Sequence, residues 1–250
     1  MTTMPSATTA PTDQTVDANL HLLPQTRELH ALHTIVRDRS VRREDFVLHA
    51  GRIIRLLIEA ALGLLPYRER AVSTPVGQTY HGLARAGELC GVSIARAGES
   101  MEPELRAVSP GVPIGKILIQ RDKVTKLPRV YHSLLPPDIG RRRVLLLDPM
   151  LATGGTALAA IRLLLEHGVD ERDIVFVNFL AVPSGIAAVR ARHPELPIVT
   201  SAIDQRLNED AYMVPGIGDF GDRYFGTEVT AVTEVTEVTE VTDVTSAGRS

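Results

Sequence analysis

The chain has no tryptophan, a single cysteine and few aromatic residues of any kind, 4% of 250 residues. Because Cys90 stands alone, an intrachain disulfide and a cysteine-based metal cluster are both excluded. No apolar run reaches the ~20 residues needed to cross a bilayer. The start of the chain carries neither the hydrophobic stretch of a secretory signal nor the arginines of a mitochondrial one, so a cytoplasmic protein is expected. A basic excess is missing too. The formal net charge of −3 argues against general nucleic-acid or membrane-surface binding, although it leaves room for a local basic pocket. Core material is ample: 44% of residues are hydrophobic, enough for one α/β domain with extensions or at most two small domains.

Both ends lack hydrophobic periodicity. Residues 1–18, rich in threonine, proline and alanine, are expected to form a disordered tail. From Thr227 to Thr245 a unit of the form Thr-Glu-Val or Thr-Asp-Val repeats. That period matches neither strand nor helix, so residues 228–250 are expected to be a disordered or loosely extended tail, with β-pairing to another chain as the alternative. Residues 19–227 remain as the folded domain. Within it, Glu44–Leu65 has the spacing of a long amphipathic helix, with Val47, Ala50, Ile54, Leu57, Ile58, Ala61 and Leu62 on one face. Short apolar runs at Val92–Ala95, Ile117–Ile119, Val144–Leu147, Ile174–Leu180 and Ile198–Ile203 read as buried strands. Helices are expected between several of them, notably Thr156–His167 and Ser184–Arg192. Strands apolar throughout and alternating with helices imply a mainly parallel sheet covered on both faces. In such sheets ligands gather at the C-terminal edges of the strands.

One such edge carries a loop suited to phosphate. The strand Val144–Leu147 ends at Asp148, Pro149 breaks it, Met150, Leu151 and Ala152 carry the turn, and Thr153-Gly154-Gly155-Thr156 opens a helix. Paired glycines let the backbone approach a ligand closely, and the N–H groups at the helix start form an anion site to which the hydroxyls of Thr153 and Thr156 can add. A carboxylate is poorly suited to phosphate but can accept hydrogen bonds from the vicinal hydroxyls of a ribose. Asp148 beside a phosphate cradle therefore points to a phosphorylated sugar. On spacing alone, an ordinary strand–helix turn with a threonine cap also fits. No lysine follows the glycines, which disfavours the nucleoside-triphosphate loop.

Gly216-Ile-Gly218-Asp-Phe-Gly221 satisfies G-x-G-x-x-G, but no βαβ unit can follow it in the repetitive tail, so a dinucleotide site is not expected. Arg96 and Arg121 each follow a strand. An arginine fork can grip phosphate oxygens bidentately, although an exposed arginine after a strand is equally ordinary.

Asp148-Pro-Met-Leu-Ala-Thr-Gly-Gly-Thr156 resembles the phosphoribosyl-pyrophosphate (PRPP) signature of uracil phosphoribosyltransferases, a form in which proline replaces the second acidic residue of the wider motif. The resemblance covers roughly Leu23 to Thr227, including QTRELHALHTIVRD and REDFV near the start, and implies the α/β phosphoribosyltransferase-type fold. It implies transfer of the phosphoribosyl group of PRPP to uracil, giving uridine monophosphate and pyrophosphate. Tyr212–Thr227 is similar to the family's uracil-binding segment, which carries base contacts onto Met213, Gly218, Asp219 and Phe220, largely through backbone groups. Arg96-Ala97-Gly98 matches the family's pyrophosphate loop. PRPP contacts then fall on Arg96, Ala97, Gly98, Arg121, Asp148 through Thr156 and Asp219, with Asp148, Asp219 and Arg121 as the catalytic set. Magnesium would arrive on PRPP, with no dedicated protein metal site. GTP activation, as in some relatives, and a homodimer or homotetramer are further implications.

The sequence departs from the family after Gln120-Arg121-Asp122. Many relatives carry more acidic residues there, whereas Lys123 and Val124 follow here, in a stretch expected to be a mobile flap (Asp122–Pro128). That change motivates the alternative of a catalytically weak or inactive protein that senses PRPP or a nucleotide. An RNA-binding attenuator is disfavoured by the acidic charge, and a purine-specific transferase by the Tyr212–Thr227 segment.

Overall fold

The structure, a computed structural model, describes residues 18–121 and 128–227. The expected terminal tails, apart from Ala18, and residues 122–127 of the expected flap lie outside the described residues. Pro128, placed in the flap from sequence, begins a strand.

A short strand β1 (Leu20–Leu22) leads into α1 (Arg27–Arg37), whose first turn is capped by Thr26 accepting from the Leu29 N–H at 3.1 Å. The long helix α2 (Arg43–Gly63) follows, close to the bounds its apolar spacing gave. A hairpin of β2 (Tyr67–Ser73) and β3 (Thr79–Arg85) forms its own two-stranded sheet. It escaped the sequence analysis because it is exposed along most of its length and carries no alternation between buried and exposed residues. Next come β4 (Leu89–Ala95), α3 (Glu102–Val108), β5 (Ile114–Arg121), β6 (Pro128–Leu134), β7 (Arg143–Leu147) and the two-residue strand β8 (Met150–Leu151). The chain continues through α4 (Gly155–Glu166), β9 (Ile174–Ala181), α5 (Pro183–Arg190), β10 (Ile198–Ile203), the small pair β11 (Arg206–Leu207) and β12 (Met213–Val214), and α6 (Phe220–Phe225).

The main sheet runs β1-β10-β9-β7-β4-β5-β6, with β8 also paired to β9. Every neighbouring pair is parallel except β5–β6 at one edge. Alternation along the central strands divides the core in two. Leu145, Leu147, Val175 and Val177 pack with α1, α2, α3 and α6, whereas Val144, Leu146, Ile174 and Phe176 pack with α4 and α5. Both faces are thus covered, which is why these strands are largely apolar.

The connection leaving β4 passes through α3 on one face, and the connection leaving β7 passes through α4 on the other. Adjacent parallel strands whose connections diverge to opposite faces leave a crevice at their C-terminal ends. Arg96 follows β4 and Asp148 follows β7, so both stand at that crevice.

Candidate active site

At the end of β7 the backbone is held from below. Asn178 on β9 donates its Nδ2 to the Asp148 carbonyl at 3.2 Å, and Thr200 on β10 donates to Asn178 Oδ1 at 2.9 Å. The Pro149 carbonyl accepts from the Phe179 and Leu180 N–H groups at 3.1 and 2.9 Å. Met150 and Leu151, read from sequence as turn, are drawn into the sheet beside β9. The chain then turns through Gly154, which has φ of 80° and sits at the N-cap of α4. Glycine is the residue that adopts this left-handed conformation without strain. No side chain among the described residues caps this helix, so its first-turn N–H groups face the crevice as anion donors.

Asp148 is buried, 7% exposed, and burial pushes its carboxyl up from the ordinary value to about 7, opposed only by a hydrogen bond from the Met150 N–H. The carboxylate therefore lacks a cationic partner within the described fold and is available to ligand hydroxyls.

Across the crevice, Arg96 opens a 3₁₀ turn, Ala97–Met101. Its guanidinium reaches α6, pairing with Asp222 at 2.5 Å and donating to the Thr227 hydroxyl. Behind the turn, Lys116 on β5 pairs with Glu99 at 2.7 Å and Glu102 at 3.3 Å, and Ser93 donates to Glu102 at 2.6 Å. This network fixes the turn between two strands.

The crevice holds a cavity of ≈ 390 Å³ lined by Arg96, Ala97, Asp148, Met150 through Thr156, and Asp219, together with Ile94, Ala95, Ala157 and Gly221. A second cavity of ≈ 220 Å³ is lined by Met213, Gly218, Asp219 and Phe220, with Ala211 and Tyr212. The two share Ala97, Met150, Ala152, Asp219 and Gly221. The sequence-derived residues thus converge on one double site. Gly98 and Pro149 do not line it: Gly98 packs behind the turn against the Leu147 carbonyl, and Pro149 faces β9. Arg121 ends β5, opposite Pro128.

Sequence reasoning missed the supports of the second cavity. Asp204 accepts the Gly216 N–H at 2.8 Å and pairs with Arg37 at 2.9 Å, while Arg37 donates to the Gly216 carbonyl at 2.9 Å. Arg223 donates to the carbonyls of Val36, Ile217 and Asp38 and lies 4.3 Å above the Phe46 ring. Phe46, Phe179, Phe220 and Tyr224 pack behind the segment with neighbouring centroids 5.1 to 6.1 Å apart, Phe46 and Phe179 edge-on to Phe220 and Tyr224 stacked on it. The chain's scarce aromatics are concentrated here. These supports lie far apart in sequence and carry no local pattern that spacing could reveal.

The model of the family described as uracil phosphoribosyltransferase matches residues 23–227. The chain is 53% identical over 210 residues to a uracil phosphoribosyltransferase of Dictyostelium discoideum, covering 84% of this chain and 97% of that protein. It is 49% identical over 207 residues to the Saccharomyces cerevisiae protein of the same name, covering 83% and 96%. The solved structure of the AQ2163 protein from Aquifex aeolicus superposes with a TM-score of 0.74 at 29% identity, covering 84% of this chain and 99% of that one. With an uncapped helix start, a buried carboxylate and a second cavity joined at one sheet edge, and with these likenesses spanning the described domain, the chain belongs to the uracil phosphoribosyltransferase family.

Proposed function

We propose that the double site transfers the phosphoribosyl group of PRPP to uracil with the work divided between its two cavities. The carrying observation is the junction itself. Asp219 and the Met150–Ala152 edge line both cavities, so a ribose seated at Asp148 presents its C1′ toward a base in the smaller cavity. The first turn of α4 takes the 5′-phosphate on its N–H groups, aided by Thr153 and Thr156. Asp148, as the anion, accepts the ribose hydroxyls. Arg96 and Arg121 take the pyrophosphate.

In the smaller cavity, backbone groups of 213–220 match uracil, whose N3–H donor lies between two carbonyl acceptors. Cytosine puts an amino donor where an acceptor is required, and a buried unpaired group can cost several kcal/mol, enough for about 10⁴-fold rejection. As pyrophosphate leaves C1′ and the base nitrogen attacks the opposite face, the chain's contribution is positioning and charge stabilisation. Among the described residues no three His, Cys, Asp or Glu side chains come together as a metal cage. A magnesium ion arriving on PRPP would neutralise the charge of the departing pyrophosphate.

The rest of the reading concerns assembly and setting. The exposed β2–β3 hairpin, with Val72, Tyr80 and Leu83 open to solvent, suits packing against a second copy in a homodimer or homotetramer. An arginine-lined cavity of ≈ 690 Å³, including Arg37, Arg39, Arg43 and Arg223, offers positive charge for an activator such as GTP. No described helix is long and apolar enough to cross a membrane. No feature of the described cleft favours the sensing alternative.

The test is incubation of the full chain with labelled uracil, PRPP and magnesium, alongside cytosine and purine bases. Uridine monophosphate and pyrophosphate should form one for one, with cytosine and purines inert. Bound PRPP with no nucleotide product at any enzyme concentration would favour the sensor.

A further inference from the structure

The Arg96 guanidinium does not hang loose over the cleft. Nη2 donates to Asp222 Oδ1 at 2.5 Å, Nη1 donates to Thr227 Oγ1, and that hydroxyl in turn donates to Asp222 Oδ1 at 2.9 Å. Both partners belong to α6 or the turn just after it. The helix begins at Phe220, the last residue assigned to the base, and it is capped by Asp219, which accepts the Asp222 N–H at 2.8 Å. Gly221 lets the guanidinium lie close to the backbone. A Cβ there would lie 3.3 Å from Arg96 Nη2, so the guanidinium would have to give by a few tenths of an ångström.

The placement of the carboxylate matters. Arg96 lines the larger cavity of the cleft, whereas Asp222 lines the neighbouring arginine-lined cavity. Asp222 therefore holds the arginine from outside the cavity that would take the pyrophosphate. An unrestrained arginine loses rotamer freedom when it is fixed. Its fork has five N–H donors, and the clasp uses only two, leaving the others for phosphate oxygens.

We propose that Asp222 and Thr227 are positioning residues for pyrophosphate binding, holding Arg96 aimed into the cleft and tying the pyrophosphate turn to the base segment through α6. The inference rests on the reading of Arg96 as a pyrophosphate ligand. It adds that the end of the folded domain sets the affinity for PRPP rather than merely closing the chain.

Steady-state kinetics on full-length variants test it. Asp222→Ala should raise the KM for PRPP and the inhibition constant for pyrophosphate by about tenfold. Asp222→Asn and Thr227→Val, each of which leaves part of the clasp intact, should do so by smaller factors. The KM for uracil should stay within about twofold of the parent, as should kcat at saturating PRPP. Adding Asp222→Ala to Arg96→Ala should bring no further loss, because the two act as a unit.

Tighter PRPP binding in Asp222→Ala would overturn the proposal by making the carboxylate a competitor of the substrate. Parallel shifts in uracil KM and melting temperature would reduce the clasp to a structural contact. If Asp222→Ala fails to fold, Thr227→Val carries the same prediction. Should Arg96→Ala alone leave PRPP affinity unchanged, the reading of Arg96 fails. Should Arg96→Ala weaken PRPP while the Asp222 and Thr227 variants do not, only the positioning role fails.

Discussion

The phosphate loop and the base segment meet in one cleft but are built on different plans. The loop from Asp148 to Thr156 is contiguous: strand end, proline, turn, glycine pair and helix start follow one another, and all but Pro149 line the larger cavity. The base segment has its shape imposed from a distance. Asp204 and Arg37 hold Gly216, Arg223 bridges Ile217 to the end of α1, and aromatics from α2, β9 and α6 pack behind it. A motif that carries its own geometry tolerates change elsewhere in the chain, whereas one held by remote partners fails when any of them is lost.

Damage to the loop should therefore fall on phosphoribosyl transfer itself. Asp148→Asn keeps the size of the side chain but loses the anion that receives the ribose hydroxyls. Turnover with uracil and PRPP should drop by about 10²–10³-fold. The variant should also melt higher than the parent at pH 8, since burying this carboxylate in its ionised form destabilises the fold. The folded-state value, about 7, lies above the ordinary 3.8. The parent therefore loses stability as pH rises between those values, and above them the loss is complete. Thermal melts at pH 4 and pH 8 should show the advantage of Asp148→Asn only at the higher pH.

The same carboxyl governs a somewhat smaller effect on rate. Only its ionised form can accept both hydroxyls, so kcat/KM for PRPP should rise with pH up to about 7 and level off above it. Below that point each pH unit should cost about tenfold. A pH profile of the parent that is flat from pH 5 to pH 8 would remove Asp148 from the ribose site.

Damage to the supports of the base segment should be narrower. Arg37→Ala leaves Asp204 buried at 4% exposure with an unpaired charge, and losing one partner of such a pair typically costs about 3 kcal/mol. The KM for uracil should rise by about tenfold while the KM for PRPP moves little, and differential scanning should show a lower melting temperature. An equal rise in both constants would mean that the two regions are not held separately.

This contrast also explains what the sequence could and could not reveal. The strand–loop–helix at Val144–Ile161 was legible because apolar run, breaker and glycine pair occur in chain order. The five expected strands were found because each is a short, largely apolar run that is mostly buried. The β2–β3 hairpin had no such signal, being exposed, and β6 is a partly polar edge strand. Asn178, Thr200, Asp204 and Arg37 belong to no spacing motif that the sequence displays. Their importance lies in partners tens of residues or more away, a relation that spacing cannot express.

The smallest effect should come from the repeat tail. Removing residues 228–250 while keeping Thr227 should leave kcat and both KM values unchanged, as steady-state assays would show. Removing Thr227 as well should weaken PRPP binding through Arg96.

The most direct measurement is a crystal structure of the chain with uridine monophosphate bound. The phosphate should sit on the first-turn N–H groups of α4, the ribose hydroxyls on Asp148, and the uracil ring against the backbone of residues 213–220. A nucleotide whose base lies in the arginine-lined cavity beside Arg39 and Arg43, or whose phosphate lies away from Gly154–Thr156, would contradict the division of labour between the two cavities.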